Sequence, residues 1–188
     1  MNKPLETIDH NGYTIEIYID NDPENPREWD NLGTMVCFHK RYNLGNKQDL
    51  FRNEDYNSWA ELENAIRKIE GGIAIILPLY LYEHSGLRIS TGSFSCPWDS
   101  GQIGFIFVSK VKARKELGKK RLSKKSLKQL EKILEAEVTN YDALLIGDVY
   151  GFITIDPSGK EIDSCWGIFG FNETVNYAKE LIPKGAKE

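Results

Sequence analysis

Val149-Tyr150-Gly151-Phe152-Ile153-Thr154-Ile155-Asp156-Pro157-Ser158-Gly159-Lys160-Glu161-Ile162-Asp163-Ser164-Cys165-Trp166-Gly167-Ile168 is the stretch on which the fold reading turns. Two runs rich in β-branched and aromatic residues flank Asp156-Pro157-Ser158-Gly159. In such a turn the proline presets φ, the aspartate accepts from nearby amides and the glycine tolerates positive φ. Residues 149–155 and 161–168 therefore read as two strands of an antiparallel hairpin. Just upstream lies the clearest helix, residues 123–146, where Leu127, Leu130, Leu134, Val138, Tyr141 and Leu145 recur every three or four positions and Gly147 supplies the stop.

Further out, residues 12–20 alternate, with Tyr13, Ile15, Ile17 and Ile19 on one face. Residues 34–39 and 73–82 are further strands, the second apolar enough to be central, although Pro78 cannot donate to a ladder. Ile103, Phe105 and Phe107 mark another. Ser58 and Glu61 form a capping box for a helix carrying Trp59, Leu62, Ile66 and Ile69. Residues 111–117 form a short basic helix, and Asn172 caps a last one. Strands interleaved irregularly with helices, closed by a hairpin, predict an α+β fold: a mixed or mostly antiparallel sheet with about three to five helices, in a single globular domain over residues 1–188.

Composition bounds the rest. Apolar residues are 40% and charged residues 28% of the chain, a globular rather than a disordered balance. The longest apolar run, residues 73–82, falls short of the ~18 residues that a membrane span needs. The first residues show no secretory signal. Cys37, Cys96 and Cys165 are far apart and never in a C-x-x-C pair, which argues against a disulfide framework or a zinc finger and for a reducing cytoplasm.

Charge is divided unevenly. Residues 110–132 hold eleven of the 24 Lys and Arg residues and two of the 28 acids, a local net of +9; the remainder holds 13 and 26, a net of −13. Acids belong near a helix N-terminus and bases near its C-terminus. The helix at Ser123 reverses this, with Lys124, Lys125 and Lys128 early and Glu135 and Glu137 late. Lys112, Arg114, Lys115, Lys119, Lys120, Arg121, Lys124, Lys125 and Lys128 are accordingly the candidate binding residues, for phosphate or for an acidic protein. A merely solvated face is the competing reading. No aromatic residue interleaves the lysines, and no helix-turn-helix signature is present. The acidic remainder is equally suited to occupying a DNA-binding cleft.

Residues 84–102 form a Gly- and Ser-rich loop, longer than a compact domain usually leaves structureless. It contains Phe94-Ser95-Cys96-Pro97-Trp98-Asp99-Ser100-Gly101. The aromatic residues imply an ordered loop that either presents a binding surface through Trp98 and Asp99 or folds back over the core. The expectation is that Trp98 is anchored, that Asp99 holds the turn through backbone amides, and that Gly101 permits a positive φ.

Catalytic and metal signals are thin. Cys96 or Cys165 with His39 or His84 and Asp99 or Asp163 would be the material for a thiol enzyme; Cys37 sits in an apolar strand and belongs to the core. Asp20, Asp22 and Glu24 echo the start of an EF-hand loop, but Asn25 and Asn31 replace its glycine and last glutamate. Phosphate-loop, dinucleotide and zinc-protease motifs are lacking. No catalytic residue, metal ligand or cofactor is assigned; a small cysteine- or metal-dependent enzyme is the lesser alternative.

Two passages resemble a family of uncharacterised proteins of phages and integrative elements: Asn25-Pro26-Arg27-Glu28-Trp29-Asp30-Asn31-Leu32-Gly33-Thr34-Met35-Val36-Cys37-Phe38-His39, and the set of Phe94 to Gln102, Gly147-Asp148-Val149-Tyr150-Gly151 and Asp163-Ser164-Cys165-Trp166-Gly167. The similarity runs from about residue 12 to residue 170. The resemblance implies an accessory protein that binds a host defence protein or nucleoprotein complex, of the anti-CRISPR or antirestriction type, or its nucleic acid. Direct nucleic-acid binding through residues 110–132 is the alternative.

Overall fold

The computed structural model describes residues 3–183. In chain order its elements are β1 (Glu6–His10), β2 (Tyr13–Ile19), β3 (Thr34–Cys37), α1 (Trp59–Arg67), β4 (Ile73–Glu83), β5 (Leu87–Ser90), β6 (Ser100–Ser109), α2 (Lys110–Leu117), α3 (Lys124–Ile146), β7 (Val149–Ile155), β8 (Glu161–Phe169) and α4 (Phe171–Leu181). The class is α+β. The antiparallel strands sort into two four-stranded sheets, ordered β1-β2-β7-β8 and β3-β6-β4-β5. Two compact units result: the described residues of Met1–Glu24 and Ala143–Glu188, and Asn25–Asp142. Among the described residues no helix is long and apolar enough to cross a membrane.

In the first unit the hairpin forms as its turn chemistry dictates. Asp156 Oδ1 accepts from the Ser158 amide at 2.8 Å, the Ser158 hydroxyl at 2.6 Å and the Lys160 amide at 3.0 Å, and Gly159 takes a φ of 86°. Those bonds, the Ser158 hydroxyl first, hold the Asp156 carboxyl below its ordinary range. Ile15, Ile17 and Phe152 are buried with Ala178 and Ile182 in one core. Ile19, at the strand end, is exposed. On the opposite face Gly151 lies under Trp166, whose ring would be 2.3 Å from an added Cβ. The edge strand β1 escapes hydropathy reading because Glu-Thr-Ile-Asp-His is polar. Its signal is Asn11-Gly12, both at positive φ, a turn that joins tight hairpins.

The second unit is a sheet covered on both faces. Val36, Phe105 and Phe107 pack with Phe51 and with Leu62 and Ile66 of α1. On the other side Gly33 lets α3 come close: an added Cβ there would lie 2.6 Å from Leu134 and 2.8 Å from Ile106. Ile103, Ile106 and Val108 are therefore buried beside Phe105 and Phe107, and β6 is apolar on both faces rather than alternating. Pro78 is accommodated because β5 pairs only with Tyr80–Glu83 of β4, leaving the strand unpaired on that side at residue 78. The α1 cap shifts by one residue. Ser58 Oγ accepts from the Glu61 amide at 3.3 Å, while the Glu61 carboxylate takes the amide of Asn57 at 2.9 Å.

Three expectations are corrected. The 84–102 loop is interrupted by β5 and ends at Ser100, where β6 begins; the Leu87-Arg88-Ile89-Ser90 strand is too short to announce itself. Asn172 does not cap α4. Gly170 precedes that helix and no side chain closes its first turn. Trp98 is not anchored: it is 92% exposed, the loop being held instead by backbone pairing of Glu83 with Asp99.

Candidate functional site

The basic segment becomes two helices and their connection. Ser109 Oγ accepts from the Lys112 amide at 3.2 Å to start α2, and Gly118 ends it in the left-handed conformation. Ser123 Oγ accepts from the Ser126 amide at 3.2 Å to start α3. Ala113, Ser126 and Leu130 turn inward. Of the eleven basic residues, Lys110, Arg114, Lys115, Lys119, Lys120, Arg121, Lys124, Lys125, Lys128 and Lys132 are exposed. Lys112 is half-buried, its ammonium donating to the Asn31 carbonyl. Lys119 Nζ lies 3.3 Å from the Ser126 hydroxyl. Lys124, Lys128 and Lys132 recur every four residues, a stripe of roughly 12 Å along the solvent face of α3 at ~1.5 Å per residue.

Among the described residues none of these eleven cations is ion-paired with a carboxylate. Elsewhere ion pairs do form: Arg27 with Glu137, Arg41 with Glu83, Lys47 with Glu28, Arg67 with Glu63 and Arg88 with Asp142.

The acidic half of the charge reversal in α3 has an internal cause. Glu137 accepts from Arg27 Nη1 at 2.9 Å, from the Leu32 amide at 2.8 Å and from the Gly33 amide at 3.1 Å. Arg27, only 3% exposed, also donates to the Gly33 carbonyl at 2.8 Å and to Asn46 Oδ1 at 2.7 Å. Glu137 thus stands late in the helix to hold the Arg27–Gly33 segment. The early lysines have no such role. Arg27, Glu137 and Asn46 escape sequence reading because the first two lie 110 positions apart and Arg27 sits in a polar, Pro-bounded loop.

Trp98 and Asp99 precede β6, whereas α2 follows it. Ten residues of strand at ~3.3 Å each separate them from the basic surface by roughly 30 Å. The two candidate groups are distinct sites. Asp99 does not hold its turn through amides; its Oδ2 lies 3.5 Å from Cys96 Sγ and 3.3 Å from His84 Nδ1. Gly101 is not at positive φ.

A thiol enzyme needs the imidazole between the sulfur and the carboxylate. Here the Asp99 carboxylate lies against both, so the order is inverted. His39 instead faces Glu83 at 3.7 Å. Cys165 Sγ lies 3.8 Å from the carbonyl of its neighbour Trp166. Burial pushes the Cys37 thiol up to about 12. In the acidic loop, Asp20 Oδ1 accepts from the Asp22 amide at 3.1 Å and Oδ2 from the Gly167 amide at 3.0 Å, so both oxygens fasten backbone. Among the described residues no three His, Cys, Asp or Glu side chains converge as a metal would require.

No protein-family profile matches the chain, and no curated protein or solved structure is significantly similar to it.

Proposed function

We propose that the protein is a non-enzymatic binding protein that holds nucleic acid on the α2–α3 surface. One observation carries this reading: ten exposed cations and the half-buried Lys112 share a 23-residue segment with no carboxylate partner, in a chain whose net charge is −4 and whose other arginines are largely paired. Crowding like charges near a helix N-terminus costs roughly 0.3–1 kcal/mol for each ill-placed lysine at low salt. A polyphosphate backbone offsets that cost, since cations on an exposed face neutralise phosphates and release counterions. The contacts are to backbone phosphate, so binding is tolerant of sequence and weakens steeply with salt.

The role implied by the resemblance, an accessory protein of a mobile element acting on a host defence complex or its nucleic acid, is compatible with such a surface.

The test is fluorescence anisotropy of a labelled duplex against the protein and its Lys124→Glu/Lys125→Glu/Lys128→Glu variant. Those side chains are exposed and unpaired, so the variant keeps its melting temperature while affinity falls at least about tenfold, the equivalent of ~1.4 kcal/mol. Unchanged affinity removes α3 from the binding surface.

A further inference from the structure

We infer that the cleft beside β3 is a nucleotide site, taking the base among its rings and the phosphate at its cationic mouth. The cleft lies within the Asn25–Asp142 unit and has a volume of about 800 Å³, within the range of small-ligand pockets. Its wall carries the half-buried rings of Phe38 and Trp59, which also pack against the core, 6.4 Å apart and 19° from parallel, and the half-buried His39 ring stacked on the exposed Tyr42 ring, 5.1 Å apart and also 19° from parallel. Flat, near-parallel aromatic surfaces are what a heterocyclic base stacks on, with little dependence on which base it is. Lys40 and Arg52 line the same cleft, are exposed, and have no carboxylate partner among the described residues.

Two carboxylates also line it, but Glu28 is paired with Lys47 at 3.5 Å. The lining therefore keeps a positive excess that favours an anion. An apolar ligand would leave those cations unused, and a simple anion would leave the rings unused; a nucleoside phosphate uses both.

The source is either a free nucleotide or an unpaired nucleotide of a bound strand, and the second rests on the nucleic-acid reading above. The basic surface and the cleft share a structural link. Lys112 of α2 donates to the Asn31 carbonyl, and Asn31 Nδ2 donates to the Pro26 carbonyl at 2.6 Å, in the loop whose Asn25, Arg27 and Glu28 wall the cleft.

Isothermal titration of the full chain with nucleoside monophosphates, the matching nucleosides and ribose 5-phosphate tests the site. At least one monophosphate saturates and binds about tenfold or more tightly than either fragment. A Lys40→Glu/Arg52→Glu variant, both positions being exposed, melts as the parent does but loses about tenfold or more in affinity, as loss of charge-assisted contacts requires. The Lys124→Glu/Lys125→Glu/Lys128→Glu variant binds monophosphates normally, so failure of the basic surface and failure of the cleft are told apart. A duplex with a single-stranded overhang binding more tightly than a blunt one identifies the strand as the source; equal binding identifies the free nucleotide, and either supports the site. Absence of saturable binding by every monophosphate and by the overhang at millimolar concentration, or binding unmoved by Lys40→Glu/Arg52→Glu, overturns it.

Discussion

Glu137→Ala is the substitution whose cost is most directly set by geometry. The carboxylate neutralises Arg27 at 2.9 Å and takes the amides of Leu32 and Gly33, both buried. The Arg27 side chain is 1% exposed, so the charge left behind cannot turn to water. Its bonds to Gly33 and Asn46 survive, but neither partner carries a charge. Breaking a buried pair from one side costs roughly 3–5 kcal/mol. At roughly 2–4 °C per kcal/mol for a chain of this size, the Tm falls by roughly 6–20 °C. Urea unfolding followed by tryptophan fluorescence gives the free energy, and calorimetry the Tm. Adding Arg27→Met removes the stranded charge and recovers roughly 1–3 kcal/mol, because the penalty lies in the unpaired guanidinium more than in the lost attraction. A loss below about 1 kcal/mol for Glu137→Ala, or no recovery in the double variant, refutes the account of this network.

Trp98→Ala changes stability by no more than about 0.5 kcal/mol, as expected of an exposed side chain away from the core; a loss of about 3 kcal/mol in urea unfolding would mean that the ring is packed. Burial raises the Cys37 thiol from its ordinary value near 9 to about 12, so the folded state prefers the protonated form. That contribution is complete below pH 9 and is lost as pH rises from 9 to 12, where the unfolded chain ionises first. Iodoacetamide at pH 8 therefore labels Cys37, half-buried in the wall of the cleft, much more slowly in the folded protein than after denaturant is added; equal rates contradict the raised thiol.

The elements with a strong local signature were legible in the sequence. The Asp156 turn and the Ser58 cap rest on contacts within a few residues, the leucine stripe of α3 on the local helical period, and all three form. What was not legible depends on partners far along the chain. Nothing near Arg27 announces that it is buried, because its counter-charge comes from α3. The split into two sheets depends on strand pairing between β2 and β7, across more than a hundred residues. Trp98 misleads for the opposite reason: a large ring in a Pro-bounded loop is usually packed, and here it is not. The basic segment was visible as a charge count, but only the fold distinguishes exposed, unpaired lysines from lysines neutralised by neighbours.

The salt dependence of duplex binding tests the central claim most directly. Each phosphate neutralised contributes about −0.9 to the slope of log affinity against log salt concentration, so engagement of roughly five of the exposed cations on α2–α3 gives a slope of about −4.5. The Lys124→Glu/Lys125→Glu/Lys128→Glu variant, measured in the same titration, gives a slope shallower by about 2.7 at unchanged Tm. A slope near zero in the parent, or the same steep slope in parent and variant, contradicts nucleic-acid binding through this surface.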